Sequence, residues 1–129
     1  MNVNTRIERI TDWINDYVED NNVNSLVVGV SGGIDSAVVS TLCARTGRPT
    51  TVLSMPIRQK QEQHDLGVNH CLSLLDQFQN VHWDTVDLTE TFDKFACLFA
   101  EHNDLALANS RARLRMTTLY QIAQTQGGI

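Results

Sequence analysis

Apolar side chains recur at three- and four-residue spacing from the start of the chain: Ile7, Ile10, Trp13, Ile14, Tyr17 and Val18. This period predicts a helix over residues 4–20, with Thr5 and Glu8 as a capping box. After the turn-forming NNVNS, residues 26–30 are continuously apolar, the pattern of a parallel strand covered on both faces. A helix is expected after Gly33, burying Val38, Val39 and Leu42 and stopping near Gly47 as its C′ residue. Residues 50–54 read as a second strand, stopped by Pro56. Residues 62–78 then form a helix with Val68, Leu72, Leu75 and Phe78 on one face, and residues 81–88 a third strand. Two helices follow: 89–99, carrying Phe92, Phe95, Ala96 and Phe99, and, past the polar break HND, 105–124. In the last, Leu114, Met116, Leu119, Tyr120 and Ile122 are interleaved with arginines. Strands alternating with helices predict an α/β fold, a doubly wound parallel sheet, because parallel neighbours need right-handed helical crossovers. In such a sheet the ligand sits at the carboxyl ends of the strands.

Composition narrows this picture without redirecting it. The 129 residues make one domain's worth of chain, and no internal repeat divides them. The net charge of −5 argues against a nucleic-acid or anionic-membrane surface as partner. Cys43, Cys71 and Cys97 lie in apolar helical patterns rather than in a CxxC arrangement and read as reduced core thiols. His64, His70, His82 and His102 have no ligand spacing and read as surface or edge residues. With no apolar run of membrane-spanning length and no targeting segment, a cytoplasmic location is expected.

The chemistry concentrates where the first strand ends. Residues 25–36 read SLVVGVSGGIDS: an apolar strand, a glycine turn and the first turn of a helix. The free N–H groups and positive dipole end of a helix favour an anion, and a phosphate is the natural candidate. Gly32 and Gly33 permit a wrapping backbone, while Ser31 and Ser36 carry hydroxyls able to donate to phosphate oxygens. Asp35 sits against this expectation. A carboxylate roughly 5 Å from a phosphate charge is repelled by about 3 kcal/mol at an effective dielectric near 20. A divalent cation between them reverses the sign, and Mg²⁺ suits one carboxylate plus phosphate oxygens and waters. Asp35 is thus the candidate metal ligand. The alternative is that Asp35 only complements the helix dipole within an ordinary βα turn. The loop is neither a Walker A sequence nor a GxGxxG fingerprint. At the neighbouring strand end, Met55 and Pro56 offer a surface against which a purine could lie, or simply a strand end.

The second informative string is NSRARLRM, residues 109–116. Arg111 and Arg115 are four apart on one helical face, with Arg113 rotated away from both. Three guanidiniums in five residues suit forked recognition of phosphate or carboxylate; a solvated face with weak ion pairs is the alternative.

With these residues in view, SGGIDS resembles the pyrophosphate-binding loop of the N-type ATP pyrophosphatases. Together, SGGIDS, MPIRQKQEQ (residues 55–63) and NSRARLRM resemble ammonia-dependent NAD synthetase, over most of the chain and as its N-terminal portion. The resemblance implies an adenine nucleotide alpha hydrolase-like, Rossmann-like sheet. It implies ATP as co-substrate on Gly29, Val30, Ser31, Gly32, Gly33, Ile34, Asp35 and Ser36, Mg²⁺ on Asp35, and deamido-NAD on Arg113. Arg111 and Arg115 are carried over less directly. The implied reaction is amidation of deamido-NAD: ATP converts the nicotinate carboxylate to a mixed anhydride with AMP, releasing pyrophosphate, and ammonia displaces AMP. No enzyme nucleophile is required. A homodimer is also implied, with the 105–124 helix as a candidate interface. Other superfamily members that adenylate a different acid, or a non-catalytic nucleotide-binding module, share the loop. In the family, the Gly-Thr turn, metal-binding glutamate and phosphate-binding lysines follow a further strand, and nothing in this sequence matches them. GGI at residues 127–129 reads as a helix cap followed by the first residue of that strand. The expectation is a truncated domain, inactive alone, with at best weak ATP binding.

Overall fold

The computed structural model describes residues 1–129, in the order α1 (Val3–Asp20), β1 (Leu26–Gly29), α2 (Ile34–Arg45), β2 (Thr50–Ser54), α3 (Gln61–Gln77), β3 (Val81–Thr85), α4 (Thr89–Ala96) and α5 (Asp104–Thr125). The strands form one parallel sheet with β2 in the centre. Leu26 lies beside Thr50 and Thr50 beside Val81, while Gly29 lies beside Leu53. All five residues of β2 are buried, as expected of a strand flanked on both edges and both faces.

Alternation along the strands builds two cores. On one face Val30, Val52 and Val81 pack with Ala44 of α2 and with Cys71 and Leu74 of α3. On the other, Leu53, Met55 and Ile57 pack with Leu88 and Phe92, and Leu114, Leu119 and Ile122 of α5 close over them. A third cluster, Val18, Leu26 and Cys43, holds α1 beside α2. Helices therefore cover both faces of a parallel sheet, the doubly wound arrangement expected.

Several local expectations are corrected. The first helix is capped by Asn2, whose side chain accepts from the Thr5 N–H at 2.8 Å; the box of Thr5 and Glu8 does not form. β3 stops at Thr85 rather than residue 88, and α4 at Ala96 rather than 99. In α2 the buried stripe is Ser40, Cys43 and Ala44, and Val38 and Val39 are about half exposed. In α3 it is Gly67, Cys71 and Leu74, with Leu72 and Leu75 outside. Both stripes keep helical spacing but admit small or polar residues, because α2 and α3 pack closely on each other and on the sheet. Cys97 is exposed and only Cys43 and Cys71 are core thiols. No helix is long and apolar enough to cross a membrane.

The α5 C-terminus ends in a Schellman pair: the Gly128 N–H donates to the Ala123 carbonyl at 2.7 Å and the Gly127 N–H to that of Gln124 at 3.2 Å, with Gly127 at φ +69°. The chain then runs parallel to β1. Ile129 N–H donates to the Ser25 carbonyl at 3.0 Å and Val27 N–H to that of Ile129 at 2.8 Å. A side chain at Gly128 would lie 2.3 Å from Ser25 Oγ, so only glycine admits this approach. The helix cap expected at Gly127 and Gly128 is present, and the pairing with β1 is a single bridge at Gly128, with Ile129 bonded on either side of it.

Candidate nucleotide-binding site

β1 delivers the loop to the carboxyl edge of the sheet, where Gly33 becomes the N-cap of α2. Glycine supplies no capping side chain, so the first-turn N–H groups of Ile34, Asp35 and Ser36 have no protein acceptor. These free donors and the positive end of the helix dipole lie where the sequence reading expects an anion.

The loop's shape is held from within. Ser36 Oγ accepts from the Ser31 N–H at 3.1 Å and donates to the Gly33 carbonyl at 3.1 Å. Ser31 Oγ accepts from the Gly33 N–H at 3.2 Å and lies 3.2 Å from Ser36 Oγ. The Ser36 hydroxyl is thus engaged in folding the loop, which departs from its expected role as a phosphate donor. Either hydroxyl can donate across the Ser31–Ser36 pair, so the Ser36 proton has two acceptors within the loop, and the Ser31 proton has Ser36 Oγ or a ligand.

Outside the loop, two amides grip one carbonyl. Gln59 Nε2 donates to the Ser31 oxygen at 2.6 Å and Gln63 Nε2 at 3.1 Å. Gly32 adopts φ +90°, and a Cβ there would lie 2.2 Å from the Gln63 carbonyl oxygen, so the loop and the start of α3 are in direct contact. The sequence reading noted residues 55–63 as a resembling segment but assigned these glutamines no task. Their signal was present, as two amides four positions apart beside a glycine loop, but what they bind is a tertiary matter.

Between the loop and α5 lies a cleft of about 480 Å³. Gly29, Val30 and Ser31 line it on one side, Met55, Gln59 and Gln63 at its base, and Ala112, Arg115, Met116 and Leu119 along α5. Of the two strand-end residues noted in the sequence, Met55 lines the cleft and Pro56 does not. Arg115 Nε donates to the Met55 carbonyl at 3.0 Å. Burial pushes the Arg115 pKa down, and the like charge of Arg111 adds to this.

The three arginines separate as their helical positions require. Arg111 lies over the Phe92 ring of α4, 5.5 Å from its centroid. Arg113, the expected deamido-NAD contact, is exposed and lines a hollow between α4 and α5 with Thr91 and Phe95, away from the loop cleft. Asp35 is exposed on the first turn of α2 and takes part in no hydrogen bond or ion pair with the protein. Its carboxylate is free for an ion shared with a bound phosphate. No group of three or more His, Cys, Asp or Glu side chains gathers anywhere, so these residues form no all-protein metal cage and offer a single carboxylate beside the loop.

Behind the loop, His70 Nε2 lies 2.8 Å from Ser40 Oγ, joining α3 to α2. It is half-buried, not the surface residue expected, and burial lowers its pKa.

The family model for NAD synthase matches residues 6–129. The chain belongs to the NAD synthase family. An ammonia-dependent NAD⁺ synthetase of Finegoldia magna is 35% identical over 129 residues, covering 98% of this chain and 52% of its own length. The solved ammonia-dependent NAD synthetase of Campylobacter jejuni, in complex with nitrate, superposes with a TM-score of 0.88 at 27% identity, over 99% of this chain and 55% of the other. The NMN synthetase of Francisella tularensis superposes at 0.87 with 30% identity, over 100% and 53%. The chain thus spans about half the length of the NAD synthase relatives it matches.

Proposed function

We propose that this chain is a single domain that binds ATP with Mg²⁺ for the ammonia-dependent amidation of deamido-NAD. The observation that carries the reading is the uncapped α2 N-terminus that follows a loop whose Gly29, Val30 and Ser31 line an open cleft, in a chain of the NAD synthase family. In this reading residues 29–36 receive the nucleotide, with the first-turn N–H groups on the phosphates and the base against Met55 and Leu119. Asp35 holds the Mg²⁺, which when bound offsets charge on the departing pyrophosphate. The protein's contribution is to align the acid with the α-phosphate and exclude water, so that the carboxylate attacks and pyrophosphate leaves; ammonia then displaces AMP. Arg113 contacts deamido-NAD, as the resemblance implies, from the hollow between α4 and α5, outside the loop cleft. The reading includes a cytoplasmic enzyme with small-molecule substrates and no nucleic-acid or membrane partner. It also includes a homodimer formed through α5, whose Leu105 and Tyr120 are 72% and 67% exposed.

Calorimetric titration with ATP tests this. Binding that requires Mg²⁺ and is lost in Asp35→Ala is expected; no ATP binding, or binding indifferent to the metal and to Asp35, overturns the reading. The likeness to an NMN synthetase favours a second acid, a mononucleotide, and competition between the two acids for the ATP-loaded protein separates them.

A further inference from the structure

The molecule has three ion pairs, Arg48–Glu19, Arg58–Asp93 and Lys94–Glu90, and all lie away from the loop cleft. Arg115 belongs to none of them, although acidic residues outnumber basic ones 15 to 10. It is also the one cationic side chain lining the cleft. Its Nε is committed to the Met55 carbonyl, and its two terminal nitrogens have no protein acceptor. Around it α5 presents Ala112, Met116 and Leu119, which solvate a guanidinium poorly. A partly buried cation without a counter-charge is costly, and the cost is removed when an anion arrives.

We propose that Arg115 is a phosphoryl-binding residue of this cleft, held at Nε by the Met55 carbonyl with its terminal nitrogens left for a phosphate oxygen of the nucleotide. This rests on the nucleotide reading above. The assignment uses what distinguishes arginine from lysine. The fork bonds a backbone oxygen with one edge and an anion with another, so the strand-end turn orients the charge before any ligand is present. Across the cleft from α5 stand Gly29, Val30 and Ser31, the residues that lead into the α2 N-terminus. Arg113, two positions earlier, is on the wrong side of the helix for this role.

Binding of ATP and of adenosine to the parent chain, Arg115→Met, Arg115→Lys and the exposed control Arg9→Gln decides the matter. A charge-assisted contact predicts that Arg115→Met weakens ATP at least about tenfold while adenosine stays within about twofold. Arg115→Lys, which keeps the charge without the fork, falls between, and Arg9→Gln matches the parent. ATP binding to Arg115→Met within about twofold of the parent overturns the proposal. So does an equal loss for ATP and adenosine, which is what a purely structural tie to Met55 would produce. Failure of the nucleotide reading itself is seen separately, as absence of ATP binding in the parent chain, and it removes this proposal with it.

Discussion

At residue scale the site depends on backbone positions that tolerate no side chain and on groups left without partners. Gly32 combines φ +90° with contact against the Gln63 carbonyl, so Gly32→Ala meets both backbone strain and a collision. Strain of this kind costs on the order of 1–3 kcal/mol; a lowered urea midpoint and lost ATP binding are expected, and an unchanged midpoint counts against the loop geometry. The thiols give an independent check. Burial pushes Cys43 up to about 11 and raises Cys71 as well, whereas Cys97 is exposed. A thiol reagent applied to the folded protein at neutral pH should label one cysteine, mapped by mass spectrometry to Cys97, with the other two reacting only in denaturant. The strand, glycine turn and uncapped helix start were legible in SGGIDS because all three are local signals. The work of the Ser36 hydroxyl was not, since it depends on how the loop closes. Nor was the tie of Arg115 to the Met55 carbonyl, or the place of Arg113 in the hollow between α4 and α5, which only the packing of α5 determines.

At element scale, α2 and α3 meet through small and polar groups instead of the aliphatic ridges their sequences suggested. Val38, Val39, Leu72 and Leu75 supplied a plausible hydrophobic stripe, but close approach to the sheet favours Ser40, Ala44, Gly67 and Cys71. Periodicity identifies a helix and not which of two adjacent stripes will be buried. The pairing of Ser40 with His70 gives this contact a pH dependence. Burial holds His70 below its ordinary value of 6.5, with no charged neighbour contributing. As pH falls through that region the unfolded chain takes up a proton before the folded one does. Stability is therefore full above about pH 6.5 and declines as pH falls toward the folded value. Urea midpoints compared at about pH 7.5 and 5.5 should fall in the parent and fall less in His70→Gln; an equal fall in both rejects the assignment.

At the scale of the whole molecule, β1 is the exposed margin. One bridge, Ser25 to Gly128, occupies its outer edge, and beside it Trp13, Tyr17, Val39 and Ile129 form an apolar groove of about 550 Å³. Trp13 is 64% exposed there, which is unusual for so large an apolar group. The folded protein should enhance the fluorescence of an apolar dye such as ANS, and Trp13→Gln should reduce it; no dye binding would mean that the groove is covered in solution. The layer arrangement was readable from strands alternating with helices, because parallel neighbours need helical crossovers of one hand. The groove was not, since the helical period of α1 tells which residues share a face and not what covers it. The grip of Gln59 and Gln63 on the Ser31 carbonyl has a last consequence, for transplantation. Residues 31–36 grafted alone onto a foreign β–α junction should arrive without their clamp and bind nucleotide poorly. A graft that also imports the β2–α3 crossover should carry the recognition with it.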